Sequence, residues 1–418
     1  MIVDKLITMR TPLDSPFSPG SDSPPQVWAG RTDQLSDWRD ILRPRRIAGD
    51  NERGRTILGE AGTGKSSLVN RIADIASETG DWVTRQLRMP LDSDPIRRVA
   101  SALLDLASTA GLSAPRERRI EDLLRRVQTV EASGISLSVR AQDGPEPYIA
   151  LTELLIEIGR EAMRQQDVMV MIHIDEIQNI TNDGARSQLL IALGDALAHK
   201  ELTTAPGGFS FPVHLPIAVY LTGLPEFEDM TSAKSGATFA RRFQTDILDA
   251  IKDNDLLAAL RPFVNPGWPV HNSNGGTNRI FMEPAAQHAI VELSCGEPYL
   301  FQLAGQCAWF AGTDDVITAE HVRTGWQRRA AGEAERHVQR VLDRLPQRER
   351  EFIEAMAELE PAERSLTNIT RQLELKRASD AGPTAQRLDL NRRIIQRGRP
   401  YRFHNRAIEA YLTSDWPR

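Results

Sequence analysis

Cysteine is scarce: two occur in 418 residues, Cys295 and Cys307. Two cannot form a disulfide framework, and their spacing matches no zinc site. The eight histidines are scattered without ligand spacing, so no structural metal is expected. No apolar run approaches the ~18 residues that a membrane span needs. Met1 to Arg10 lack the apolar centre of a signal peptide. A reduced cytoplasm is therefore the expected compartment, with no membrane partner. An excess of positive charge is missing too: 51 Lys and Arg stand against 57 Asp and Glu, for a formal charge of −6. That removes any global electrostatic case for nucleic acid. The remaining composition, 40% hydrophobic and 26% charged, is ordinary for a globular protein. The length suits roughly two to three domains.

What is present is concentrated in two stretches. Gly59-Glu60-Ala61-Gly62-Thr63-Gly64-Lys65-Ser66 fits the phosphate-binding loop pattern G-x-x-x-x-G-K-[ST]. Arg55 to Leu58 before it has the character of a short buried strand. Ser67 to Thr79 after it carries Leu68, Val69, Ile72 and Ile75 at helical spacing. The glycines let backbone N–H groups turn inward onto phosphate oxygens. Lys65 would reach the β- and γ-phosphates, and Ser66 would ligate Mg²⁺. Gly59, Gly62, Thr63, Gly64, Lys65, Ser66 and Ser67 are the expected nucleotide-binding set.

The second stretch is Val168 to Glu176. Its apolar run is that of a central parallel strand covered on both faces. Asp175 and Glu176 end it, where ligands bind in open α/β sheets. Asp175 would hold Mg²⁺, and Glu176 would orient and deprotonate the attacking water. His173 is expected to be a core histidine. Gln178 and Asn179 either line the site or solvate the next loop. ATP and Mg²⁺ are thus the expected ligands, and the fold class is α/β with a parallel P-loop sheet.

Between the motifs, the 88–165 insertion holds expected helices at Pro95–Ala110, Arg118–Val130 and Tyr148–Met163, and an alternating strand at Ile135–Val139. It carries no legible chemistry. Trp82–Leu87, Pro216–Leu221 and Phe243–Leu248 have strand character. Thr11 to Gln26, rich in Pro, Ser and Gly, suggests a flexible arm. Arg261 to Arg279 suggest a loop and hinge. Helices are expected at Glu283–Ser294, Tyr299–Phe310 and Ala319–Ala331, then at Arg348–Leu359, Leu366–Leu375 and Pro383–Ile395. From Arg371 to Arg406, ten Lys or Arg stand against three Asp or Glu, a local charge of +7.

These motifs in this order resemble the AAA+ and STAND P-loop ATPases, including initiator-like and transposition-accessory relatives, from Val27 to the end. The resemblance implies four parts: an arm at 1–26, an ATPase core at 27–260, a helical lid at 261–344 and a winged-helix domain at 345–418. It implies that Val27 to Arg31 pack on the adenine, with Arg31 at the nucleotide. Thr222 would sense the γ-phosphate, or merely cap a turn. Arg242, and after it Arg241, would reach a neighbouring subunit's ATP, or form surface ion pairs. Gly296-Glu297-Pro298 is similar to the nucleotide-touching G-x-P of STAND proteins. Pro298-Tyr299 stands where other AAA+ proteins carry a sensor arginine, which suits a slow switch. Arg387, Arg392 and Arg393 on a recognition helix, with Arg397, Arg399 and Arg402 on a wing, would bind double-stranded DNA; otherwise the domain docks a protein. The implied function is an ATP-hydrolysing switch that couples homo-oligomerisation to DNA binding. The alternative is a signalling or phage-defence switch that controls a protein effector encoded elsewhere.

Overall fold

The computed structural model describes residues 9–20, 25–91, 93–110, 146–204, 207–232, 241–271 and 276–418. The expected elements at Arg118–Val130 and Ile135–Val139 lie outside these residues. Among the described residues no helix is long and apolar enough to cross a membrane. The chain forms two compact units. One comprises Thr32–Leu58 and Leu68–Ile247; the other comprises Met1–Arg31, Gly59–Ser67 and Leu248–Arg418.

The first unit is built on a parallel sheet. Its strands are β1 (Gly54–Leu58), β2 (Trp82–Val83), β3 (Leu87–Arg88), β4 (Val170–Asp175), β7 (Ile217–Gly223) and β8 (Phe243–Ile247). The order is β2-β4-β7-β1-β8, with β3 also on β4. Every residue of β1, β4 and β7 is buried, as the near-continuous apolar runs of β4 and β7 require. Helices α2 (Pro95–Thr109), α3 (Pro147–Gln165) and α4 (Asp183–Ala198) join this core through Leu103, Leu154, Ile158 and Leu193. Asp94 caps α2, accepting from the N–H groups of Ile96 and Arg97. The register sets Ile174 of β4 beside Leu221 of β7, so Asp175 and Thr222 end adjacent strands.

Trp82–Leu87 thus splits into two two-residue strands. An antiparallel hairpin, β5 (Lys200–Thr204) with β6 (Ser210–His214), had no sequence signal strong enough to assign. Its strands hold no buried residue, β5 alternating between exposed and half-buried and β6 carrying Pro212, so no run of core residues marks them.

The second unit has one core that runs from Phe17 to Ile408. Helices α5 (Asp253–Leu260), α6 (Pro284–Ser294), α7 (Pro298–Phe310), α8 (Ala319–Gly325) and α9 (Ala331–Arg344) share it with α10 (Gln347–Ala357), α11 (Leu366–Gln372), α12 (Gly382–Leu390) and α13 (Arg406–Thr413). The segments expected as lid and carboxyl-terminal domain are therefore one body. Trp326 Nε1 donates to the Pro417 carbonyl at 2.6 Å across that expected boundary. Arg261–Arg279 is not merely a hinge: β9 (Trp268–His271) pairs antiparallel with β10 (Thr277–Met282), which also pairs with β11 (Val316–Ile317). The helix expected at Pro383–Ile395 ends at Leu390, and β12 (Ile395–Gln396) pairs antiparallel with β13 (Arg402–Phe403). Burial pushes the Cys295 thiol up to about 12 and Cys307 up to about 11, away from the thiolate form.

The arm also departs from expectation. Phe17 is 1% exposed, stacked on Phe263 at 5.6 Å and edge-on to Phe301 at 6.2 Å. A Cβ on Gly305 would lie 2.3 Å from that ring, so the glycine makes its seat. Arg10 is buried as well, donating to the carbonyls of Trp309 and Asp314. Two anchors among many Pro, Ser and Gly were hidden by the average composition. Phe17→Ala should destabilise this unit by about 3–5 kcal/mol, read as a lower urea midpoint. An unchanged midpoint would mean that the arm is not part of the core.

Candidate functional site

The phosphate loop follows β1 without a break, and α1 (Lys65–Glu78) begins within the motif itself. Gly62 and Gly64 have φ of 87° and 83°, a region that side-chain-bearing residues avoid. A Cβ on Gly62 would lie 2.6 Å from the His337 ring, and one on Gly64 would press on Pro298 at 3.4 Å. Lys65 Nζ donates to the Gly59 and Glu60 carbonyls at 2.8 and 2.9 Å. The loop's N–H groups, the Lys65 ammonium and the Ser66 and Ser67 hydroxyls form a donor set that fits a polyphosphate.

Several expected partners gather on this loop. Arg31 donates to the Thr63 carbonyl at 2.9 Å and to the Asp249 carbonyl at 2.8 Å. Tyr299 N donates to the Gly62 carbonyl at 3.2 Å. Glu297 of Gly296-Glu297-Pro298 accepts from Asn405 at 3.1 Å and pairs with His337 at 2.7 Å. A cleft opens here, lined by Thr63, Asp249, Pro298, Arg393, His404 and Asn405 among others. The hydrogen bond from His404 holds the Asp249 carboxyl below the usual carboxylate range, with Arg393 and Arg31 adding to the effect.

Glu60 was not singled out in the sequence, because it occupies a free position of the motif. It is 5% exposed, and its carboxylate pairs with Arg344 at 2.9 Å and Arg392 at 3.4 Å. Arg392 also pairs with Glu349 at 3.0 Å, and Glu349 with Arg387 at 3.1 Å. Arg392 is 7% exposed. This corrects its expected place on a DNA-facing surface: two buried carboxylates draw it inward. Arg387 and Arg393 are also ion-paired, the latter with Asp249 at 3.7 Å, and Arg397 pairs with Asp389 at 2.8 Å. Arg399 and Arg402 remain exposed.

The acidic centre belongs to the sheet unit. Asp175 is 1% exposed. Its carboxylate accepts from Gln86 Nε2 and Thr222 Oγ1, and from Glu176 N at 3.0 Å; Arg88 Nε stands 3.9 Å away. The Thr222 hydroxyl thus serves Asp175. His173 Nε2 lies 3.4 Å from the same hydroxyl. Burial holds this imidazole well below its ordinary value, against the opposing pull of Asp175, so it is a neutral core histidine. Glu176 follows in a left-handed conformation, φ 57° and ψ 43°, with Gln178 donating to its carboxylate. This arrangement offers a held acid for a divalent cation and a second carboxylate able to take a proton from water. Arg242 is bound to Asp195 of α4 and packs against Gly194, so it forms an ion pair within the unit. Arg241 is exposed.

Residues 27–204 match the family model described as an AAA ATPase domain. The chain is similar to the Walker-type ATPase of Pyrococcus abyssi, at 14% identity and a TM-score of 0.53, over 92% of this chain and 96% of that one. It is more distantly similar to the ADP form of the Aeropyrum pernix ORC2 protein, at 14% identity and a TM-score of 0.47, over 94% and 95% of the two chains. Likeness to the Aeropyrum pernix ORC1 protein in complex with DNA is at 17% identity and a TM-score of 0.40, over 93% and 94%. No curated protein matches the chain. The parallel sheet with flanking helices is the P-loop ATPase fold.

Removing one member of a buried ionic cluster leaves uncompensated charge. Arg392→Ala should therefore cost about 3–5 kcal/mol in denaturant unfolding, and Arg399→Ala at most about 0.5 kcal/mol. Equal effects would show that the Glu60–Arg392–Glu349 cluster is not a structural tie.

Proposed function

We propose that this AAA ATPase domain serves a slow ATP-hydrolysing switch. The observation that carries the reading is the acid pair Asp175-Glu176 at the end of a fully buried parallel strand, beside Thr222 on the next strand. In this reading the loop N–H groups and Lys65 hold the phosphates. Ser66 would offer its hydroxyl and Asp175 its carboxylate to Mg²⁺, which would supply charge neutralisation to the phosphate oxygens. Glu176 accepts the proton of the attacking water. Thr222 keeps Asp175 in place. Arg31 and Pro298 support the loop and its cleft, and ADP is the product that stays or leaves.

The carboxyl-terminal segment is the proposed output. Its Arg392 is ion-paired with Glu60, inside the phosphate loop motif, which gives this segment a direct contact with the loop. That observation favours the reading in which the segment regulates a protein effector. DNA binding, the other reading, now rests on Arg399 and Arg402, with Arg397 partly engaged by Asp389. If ATP drives self-assembly, Arg241 is better placed than Arg242 to reach a neighbouring copy, since Arg242 is committed to Asp195.

Lys65→Ala should abolish ATP binding. Glu176→Gln should bind ATP with near wild-type affinity and lose roughly 10²–10⁴-fold in phosphate release. Wild-type turnover by Glu176→Gln would remove the base assignment. For DNA, the Arg399→Ala and Arg402→Ala pair should flatten the dependence of log affinity on log salt by about 2. A purified protein that binds no duplex at low salt would leave the effector reading alone.

A further inference from the structure

Glu176 has a left-handed backbone and precedes the short turn Ile177–Asn179. Residues with a Cβ rarely adopt this region, and they persist there when neighbours over-determine them. The neighbour here is Gln178, in the short turn Ile177–Asn179. Leu224 N, just past the end of β7, donates to Gln178 Oε1 at 3.0 Å. A backbone N–H can pair only with an acceptor, so the amide is oriented with its NH₂ away from Leu224. That NH₂ donates to Glu176 Oε2. Gly223 makes the approach possible: a Cβ there would lie 2.8 Å from Gln178 Oε1 and 2.8 Å from Ile177 Cγ2.

We propose that Gln178 is the positioning residue of Glu176, one amide that bridges the base carboxylate to the end of the strand carrying Thr222. The inference rests on the assignment of Glu176 as the base. A displacement at the end of β7 is passed through a single side chain to the carboxylate. The strand that holds Asp175 through Thr222 therefore also sets where the proton acceptor stands. An amide that merely solvated the loop would need only one of these two bonds.

The test uses the full chain and steady-state ATP turnover. Gln178→Met keeps the length and bulk of the side chain and removes both its donor and its acceptor. It should lower kcat about 10- to 100-fold, the scale of a small misplacement of a reacting group, with KM for ATP changed less than about two-fold. Gly223→Ala, which crowds the amide from the other side, should give the same split. In a Glu176→Gln background Gln178→Met should add nothing, because the residue it positions is gone. The proposal is overturned if Gln178→Met lowers kcat by the same factor in both backgrounds, which marks a general structural role. It is also overturned if Gln178→Met turns over at the wild-type rate while Glu176→Gln is inactive. Wild-type turnover by Glu176→Gln would instead remove the base assignment itself, and this inference with it.

Discussion

Asp175 ends a strand buried on both faces, and burying a carboxylate costs free energy unless donors surround it. The surrounding chain is arranged to meet that demand. The stretch between β2 and β3 brings Gln86, β7 brings Thr222, and the next residue, Glu176, donates its own N–H to the acid. His173, two residues earlier and on the same side of the strand, is kept neutral and placed against Thr222. The split of the second strand into β2 and β3 belongs to the same arrangement, since Gln86 lies in the break. In the proposed function a carboxylate fixed in this way is preorganised for a cation, which need not spend binding energy to orient it.

The phosphate loop is organised by a different constraint. Its glycines at positive φ lie against His337 and Pro298, and its one acidic side chain, Glu60, is neutralised by arginines from α9 and from the segment after α12. A buried ionic cluster of this kind adds less to stability than to geometric definition, because desolvation offsets much of the attraction. Its value here is that it joins loop, helices and carboxyl-terminal segment into one body with one core. The same economy withdraws four of six candidate DNA-facing arginines into ion pairs.

The two motifs were legible in the sequence because their signals are local. Gly59 to Ser66 is defined by spacing, and Val170 to Asp175 by an apolar run that stops at an acid. The parallel sheet and the helices flanking it follow from the same periodicities. What stayed hidden depends on partners far along the chain. Arg392 carries the same charge whether it faces DNA or Glu60, 332 positions away, and only the fold decides. Phe17 sits in a segment whose average composition is that of a linker, so one buried ring was invisible there. Glu60 and Gln178 hold positions that motif patterns leave free, and Gln178 could be placed near the site but not given a task. Thr222 was expected by position along the chain, while the bond it makes to Asp175 needed the strand register.

The most direct test of the account is the Mg²⁺ dependence of nucleotide affinity in an Asp175→Asn protein. Calorimetric titration with a non-hydrolysable ATP analogue, with and without Mg²⁺, separates the loop's contribution from that of the acid. The account predicts that wild-type affinity rises when Mg²⁺ is added. Asp175→Asn should keep the metal-free affinity and lose that rise. An Asp175→Asn protein that gains as much from Mg²⁺ as the wild type would contradict the assignment of this buried carboxylate as the cation's seat.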